Sequence, residues 1–363
     1  MASKVFNVGV VGYGLSAKVF HIPFITTTPS LALHAIVQRS PKPNDSAPAD
    51  FPGLKHYTDS AALIADPAVD VVVVTTPPDN HFDLTRRALE AGKHVLTEKP
   101  FVPSAAEAQQ LADISRKTGK LICVYQNRRW DADFLLAKHL IAAGQLGRVV
   151  EFNTHFDRYR ADAPANWKGQ LGVSHGGSAL FDLGTHLIDQ AYVLFGLPRA
   201  VRGRLLNQRE ARADFETPDA VSAQLFYDSG LLVNVGISAL SAETRQLRYW
   251  IRGTKGSFRK FGLDPQEDQL RAGGKPTDAG YGVESTANSS LTAVDEATGT
   301  ASEVPVPQLE PETYRAFYRQ FANALVSGKA EDVPVTAEQA RDVLRIIEGV
   351  LESAKTGKDA VLA

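Results

Sequence analysis

The first third of the chain carries short runs of Val, Ile and Leu that read as strands apolar on both faces: Phe6–Val11, Ala32–Val37, Val69–Val74, His94–Leu96 and Leu121–Val124. Between them, Ala17–Thr26, Ser60–Ala65, Phe82–Ala91 and Ala105–Thr118 have helical spacing. A strand with no polar face must be covered on both sides. The alternation therefore predicts a parallel, doubly wound α/β sheet with helices on either face.

After Trp130 the rhythm changes. A helix to about Ala143 is followed by strands at Val149–Phe156, Ala200–Leu206, Val221–Tyr227, Leu231–Ser238, Leu247–Arg252 and Ser257–Phe261. Asp228-Ser229-Gly230 and Gly253-Thr254-Lys255-Gly256 read as hairpin turns, which imply antiparallel pairing. Helices are expected at Leu183–Phe195, Pro311–Ser327 and Ala337–Thr356, and the polar segment Gly273–Glu303 reads as loop. A chain of 363 residues exceeds what one core usually organises. We expect a doubly wound α/β domain of Rossmann type over residues 1–125 and an α+β domain over 126–363.

Val8-Gly9-Val10-Val11-Gly12-Tyr13-Gly14-Leu15-Ser16-Ala17 closes the first strand and opens the first helix. There, Gly12 permits a tight turn, Gly14 lets backbone approach a pyrophosphate, and Ala17 is the third small residue. Tyr13, Leu15 and Ser16 complete the expected contact set. The second strand ends in Gln38-Arg39-Ser40, where an NAD enzyme commonly has Asp or Glu. Arg39 and Ser40, with Lys42 nearby, suit a 2′-phosphate, so NADP(H) is expected ahead of NAD(H). The plainer alternative makes Arg39 an ordinary surface charge. Thr75-Thr76-Pro77-Pro78-Asp79-Asn80-His81 sets a rigid loop at the carboxyl edge of the sheet.

In His94-Val95-Leu96-Thr97-Glu98-Lys99-Pro100 a lysine ends a buried strand, and the following proline keeps it extended. Lys99 can then donate to a substrate oxygen and stabilise a developing alkoxide; solvation is its other reading. Asp182 and His186 are four apart at a helix start and share a face, as an acid/base pair would. Alternatively Asp182 caps that helix and His186 is structural. Arg158, Tyr159 and Trp167 suit a polyol, with Trp over an apolar sugar face. An interdomain ion pair is the competing role for Arg158.

Gly12-x-Gly14, Thr76-Pro77 with His81, Glu98-Lys99-Pro100, and Gly176-Gly177-Ser178-Ala179-Leu180-Phe181-Asp182-Leu183-Gly184-Thr185-His186 occur in this order. Together they resemble the glucose–fructose oxidoreductase / inositol dehydrogenase / rhizopine catabolism (Gfo/Idh/MocA) family across nearly the whole chain. The resemblance implies an open, mostly antiparallel second-domain sheet, often a dimer interface. It further implies that His186 is the general base, Asp182 orients it or touches substrate, and Lys99 polarises the same oxygen. Thr76, Pro77, His81 and Glu98 would border the cofactor, and Asn127 and Arg128 the nicotinamide or substrate. Ala17-Lys18-Val19-Phe20-His21, Ile251-Arg252-Gly253 and Gln266–Gly273 look most like the family's NADPH-preferring scyllo-inositol dehydrogenase branch.

The chain thus reads as a dehydrogenase or reductase of a cyclic polyol or sugar, inositol-like first and aldoses second. A regulatory protein that binds NADP without turnover and an imine or enone reductase are the rivals. The 39 basic and 41 acidic residues carry no excess that would suit nucleic acid. A single Cys123 and scattered histidines match no common metal site, and no metal is expected. The N-terminus, Met1 to Phe6, shows no secretion signal, and the apolar runs fall short of a bilayer span. A cytoplasmic homo-oligomer acting on small molecules, away from membranes, is the expectation.

Overall fold

The computed structural model describes residues 4–362; Met1–Ser3, where the reading of the N-terminus began, and Ala363 lie outside them. Two compact units alternate along the chain. The first has the described residues through Asn127 with Gln266–Tyr281 and Glu312–Arg341; the second has Arg128–Pro265, Gly282–Pro311 and the described residues from Asp342.

In the first unit, β1 (Phe6–Val11), β2 (Leu31–Val37), β3 (Lys55–Tyr57), β4 (Val71–Val74), β5 (His94–Thr97) and β6 (Ile122–Val124) form one sheet in the order β3-β2-β1-β4-β5-β6. Every pair is parallel. The strand order reverses between β1 and β4, which opens a crevice beyond their carboxyl ends, where such sheets bind ligands. All of Val71–Val74 is buried, as a strand covered on both faces requires. The helix Ala105–Thr118 starts where Ser104 accepts from the Glu107 amide at 3.2 Å and stops at Gly119, φ 65°.

β3 had no strand signal. It is a short edge strand of polar and half-exposed residues, so no apolar run marks it. The helix Tyr314–Ser327 begins three residues later than the sequence suggested, because the Thr313 hydroxyl caps it. Its Tyr314, Phe317 and Tyr318 are buried in this unit, with Tyr318 stacked on Phe24 at a centroid distance of 5.4 Å.

The second unit holds a mixed sheet of β7 (Val149–Asp157), β8 (Ala200–Asn207), β9 (Arg212–Ala213), β10 (Ala220–Phe226), β11 (Leu232–Ser238), β12 (Leu247–Gly253), β13 (Gly256–Phe261), β14 (Ser289–Val294), β15 (Ala301–Val304) and β16 (Ala360–Val361). Its order is β15-β14-β13-β12-β7-β11-β10-β8-β16, with β9 beside β8. Both expected hairpins are present, β10/β11 and β12/β13. Within this sheet only the β7/β11 pair is parallel among the described strands.

One expectation is corrected. Gly273–Glu303, read as loop, contains β14 and most of β15. Within β14 only Leu291 is buried, and Ser, Thr and Ala fill the rest, so the period-2 signal is almost absent. Among the described residues no helix is long and apolar enough to cross a membrane.

His94 on β5 links fold to pH. Its Nδ1 accepts the Leu121 amide proton at 3.0 Å, and burial, with Lys120 and Lys4 adding to it, pushes the imidazole down to about 4. Protons therefore favour the unfolded chain, whose histidine titrates near the ordinary 6.5. The contribution is intact above that value and is lost as pH falls toward 4, at about 1.4 kcal/mol per unit. His94→Asn keeps an acceptor but cannot titrate. Between pH 7 and 4.5 it should lose about 2 kcal/mol less stability than the parent in urea unfolding; equal losses would refute the assignment.

Candidate active site

The glycine turn after β1 contains two glycines with different physical reasons. Gly12 has φ 107°, and a Cβ there would sit 2.6 Å from Thr75 Oγ1; its amide donates to Val37 O at 3.1 Å. The protein itself forbids any other residue. Gly14 has neither constraint: its backbone is outside the left-handed region and no heavy atom lies within 4 Å of a built Cβ. The bare backbone and open space fit the approach of a pyrophosphate, and the helix that starts immediately beyond it offers unpaired first-turn amides to an anion. Ala17 is fully buried, Tyr13 is buried and Leu15 is exposed.

This turn is tied to β5 through Glu98. Ser16 Oγ donates to Glu98 Oε1, His21 Nε2 lies 3.0 Å from the same oxygen, and the Lys99 amide donates to Oε2 at 2.9 Å. A carboxylate only accepts, so His21 donates from Nε2, while its Nδ1 is hydrogen-bonded with the Tyr318 hydroxyl at 2.7 Å. Burial alone would raise the Glu98 carboxyl; His21, Lys99 and Ser16 outweigh it and hold the group down at about 2. Lys99 itself is half-buried, and its peptide bond to Pro100 is cis.

Sequence reasoning quoted His21 without giving it a role and missed Tyr318. The available signal was a histidine among Phe20, Ile22 and Phe24, a polar ring in an apolar helix that has to find a buried partner.

His81 is buried with both nitrogens against backbone carbonyls: Nε2 to Thr76 O at 2.8 Å, Nδ1 to Pro100 O at 2.9 Å and Phe101 O at 3.2 Å. Burial lowers its pKa, against the opposing pull of the Thr76, Pro100 and Phe101 carbonyls. The ring fastens the Thr76-Pro77 loop to the segment after Lys99. The Thr76 hydroxyl is buried and without a hydrogen-bond partner among the described residues. Arg39, Ser40 and Lys42 are exposed beyond the end of β2. Gln38 closes their loop, donating to Asp45 O at 2.8 Å and accepting from the Ala47 amide at 2.7 Å. Asn127 is the last residue of the first unit's N-terminal segment and is buried.

In the second unit, Asp182 and His186 sit on one continuous helical segment, a π-helical stretch Leu180–Gly184 running into the α-helix Thr185–Phe195. Asp182 is half-buried and inside the helix, so it is not the cap; His186 is 4% exposed. The segment's approach is tightly built: a Cβ on Gly177 would meet Leu171 O at 1.9 Å.

Gln190, one turn beyond His186, anchors this helix. Its amide donates to Arg128 O at 2.7 Å, and its Oε1 accepts from Arg248 Nη2 at 2.6 Å and the Tyr249 hydroxyl at 2.7 Å. Arg248, 1% exposed, also donates to Asp133 at 3.1 Å, while Arg128 pairs with Asp131 at 3.0 Å. Burial holds the Asp131 carboxyl above the usual range against the pull of Arg128. Arg129 makes a two-pronged pair with Asp189, at 2.8 and 2.7 Å. The guanidinium groups of Arg128 and Arg158 both lie over the Phe156 ring, at 5.1 and 5.3 Å. Tyr159 and Trp167 are exposed. Among the described residues no cluster of His, Cys, Asp and Glu is suited to a metal ion.

Comparison with known proteins matches residues 6–126 to the NAD-binding Rossmann fold of the GFO/IDH/MocA oxidoreductase family and residues 138–362 to the C-terminal alpha/beta domain of that family. The scyllo-inositol 2-dehydrogenase (NADP(+)) IolW of Bacillus subtilis is 36% identical over 98% of this chain and 96% of its own. The scyllo-inositol 2-dehydrogenase (NAD(+)) of the same organism is 29% identical over 56% of this chain and 58% of its own. The solved structure of the oxidoreductase yvaA from Bacillus subtilis superposes with a TM-score of 0.89 at 34% identity, covering 99% of this chain and 100% of the other.

The contrast between the two glycines is testable. Gly14→Ala should leave the melting temperature within about 2 °C, as expected for a surface change of a few tenths of a kcal/mol, yet weaken nucleotide binding at least about tenfold. Gly12→Ala should cost about 2 kcal/mol or more in urea unfolding, through steric overlap and strain. If both variants behave alike in stability and in titration with nucleotide, the distinction is wrong.

Proposed function

The chain belongs to the GFO/IDH/MocA oxidoreductase family and is an NAD(P)-dependent dehydrogenase; on that premise we propose that it moves hydride between NADP(H) and a secondary alcohol or ketone of a cyclic polyol, inositol-like compounds first and aldoses second. The observation that carries this reading is the Ser16–Glu98–Lys99 connection, which fixes the backbone of the lysine beside the glycine turn. A cation anchored there is placed to serve chemistry on a bound dinucleotide.

Bound nicotinamide supplies the hydride acceptor in oxidation and the donor in reduction. The half-buried Lys99 ammonium donates to the carbinol oxygen and stabilises the charge that builds on it as the proton leaves. His186 takes that proton in oxidation and returns it in reduction, a role suited to a group whose ordinary pKa is near neutral. Asp182, one turn earlier on the same helical segment, orients the imidazole or accepts from a neighbouring substrate hydroxyl. Arg128 and Arg158, stacked on Phe156, and the exposed Tyr159 and Trp167 present donors and an apolar ring to the rest of the polyol.

NADP is preferred because β2 ends without a carboxylate, and the exposed Arg39 and Lys42 have no ion-pair partner among the described residues. The 36% identity to an NADP(+) enzyme over nearly the full chain supports the same preference and the inositol-like substrate class.

The test is a panel of inositols, keto-inositols and aldoses with NADP and NAD, followed by reduced-nicotinamide absorbance. Turnover on an inositol with NADP at least about tenfold ahead of NAD, about 1.4 kcal/mol, is expected. Lys99→Ala and His186→Ala should each lower kcat about a hundredfold or more with nucleotide affinity largely kept. Unchanged kcat removes either residue from the chemistry. Nucleotide binding with no turnover on any compound would instead favour a regulatory role.

The same reading includes a homo-oligomer formed through the outer face of the large sheet, where Leu206 is 39% exposed and Trp250 and Phe226 are half-buried. Light scattering should give at least twice the 39.3 kDa chain mass; a monomer at micromolar concentration would refute it.

A further inference from the structure

Lys18 and Asp45 lie outside the chemistry described above, yet they meet between the glycine turn and the loop after β2. Lys18 is on the first helix, four residues after Gly14, and its Nζ lies 2.6 Å from Asp45 Oδ1 and 4.3 Å from the centre of the Tyr13 ring. Asp45 closes the loop that begins at Gln38. It exchanges backbone hydrogen bonds with Lys42, both at 3.0 Å, and its carbonyl takes the Gln38 amide. Asp45 is the only carboxylate between Gln38 and Ser46, in the same tight loop as Arg39, Ser40 and Lys42.

The next carboxylate, Asp50, is engaged by Tyr13. It accepts the Tyr13 hydroxyl proton at 2.6 Å, and Tyr13 packs edge-on to Phe51 at 6.3 Å. Burial and Asp50 together raise the phenol's pKa, so it stays protonated and keeps donating. The lysine is thus held from two sides, by a carboxylate and by an aromatic face with which a cation interacts favourably.

We propose that Lys18 determines nucleotide specificity by neutralising Asp45, so that the 38–45 loop presents Arg39 and Lys42 to a 2′-phosphate without an opposing carboxylate. This rests on the NADP reading above. With Lys18 in place, the three cations outnumber Asp45 and Asp50 by one; without it the local charge is zero and Asp45 faces the phosphate directly. An uncharged ribose 2′-hydroxyl is nearly indifferent to that change, and an anion carrying up to two charges is not. The pair itself adds little to stability, since Lys18 and Asp45 side chains are 35% and 51% exposed. Its effect therefore appears in ligand discrimination rather than in the fold.

The test uses the full-length chain and equilibrium titration with NADP and with NAD, read by calorimetry, for the parent, Lys18→Met, Asp45→Asn and the double variant. Lys18→Met should raise the NADP Kd about tenfold and leave the NAD Kd within about twofold, with an unchanged melting temperature. Adding Asp45→Asn should return the NADP Kd to within about threefold of the parent, because the charge that Lys18 offsets is then gone. The Lys18→Met penalty should shrink as salt is raised.

An unchanged NADP Kd in Lys18→Met, or equal weakening of both nucleotides, overturns the proposal. Failure of Asp45→Asn to rescue overturns it too, and makes Lys18 a direct phosphate ligand. A parent protein that prefers NADP while Lys18→Met keeps that preference sinks this inference alone; a parent with no preference sinks the cofactor reading with it.

Discussion

The carboxylate of Glu98 is the constraint on which the first unit's site depends. A buried carboxylate loses its water and is tolerated only where donors replace it. Here the donors come from three places: Ser16 after the glycine turn, His21 within the first helix, and the Lys99 amide beyond β5. Satisfying one charge therefore fixes the spacing between the turn and the lysine. Tyr318 extends the chain of hydrogen bonds into a helix more than two hundred residues away in sequence, which is why Tyr314–Ser327 belongs to this unit. Removing a single donor leaves the charge under-solvated, at a cost of about 3–5 kcal/mol for a buried pair broken on one side. The network is cooperative in that sense, and it ties stability to the geometry of the site.

In the second unit Gln190 plays the corresponding part with a neutral side chain. It stands four residues after His186 on the same helix and joins that helix to the Arg128 carbonyl and to Arg248 and Tyr249 on β12. A fully buried guanidinium needs acceptors for each of its donor directions. Asp133, Thr154, His155 O and Gln190 provide them. Contacts on both sides of the helix limit how far His186 can wander, which the proton transfer proposed for it would require.

Much of this was legible in the residues. The apolar runs at Phe6–Val11 and Val71–Val74 could be nothing but central strands, and the position of Gly12 and Gly14 at a strand-to-helix junction identified the turn. What escaped had weak or non-local signals. β14 offers one buried leucine among Ser, Thr and Ala; β3 is three residues long; β16 is two. Local periodicity cannot report an edge strand whose stability comes from its neighbour's backbone. Tyr318 and the return of 312–341 to the first unit are long-range facts that no window of sequence contains. His81 was legible as part of the Thr76-Pro77 motif, but its contacts were not: its nitrogens lie against carbonyls of Thr76, Pro100 and Phe101.

The motif letters therefore divide by what satisfies them. Gly12, Glu98, His81 and Asp189 are explained by contacts the protein makes with itself: a Thr75 clash avoided, donors gathered, carbonyls bridged, a guanidinium held. Gly14 and Arg39 are not. No neighbour requires a glycine at the first, and among the described residues no carboxylate pairs with the second. A residue whose identity the fold does not demand is where a ligand's demands are read most directly. Lys18 belongs between these groups, since its partner Asp45 is internal but the pair's exposure makes it nearly neutral for folding. A charge pair that does little for the fold, joining the first helix to the loop that carries Arg39 and Lys42, is best understood by what it hides from an incoming anion.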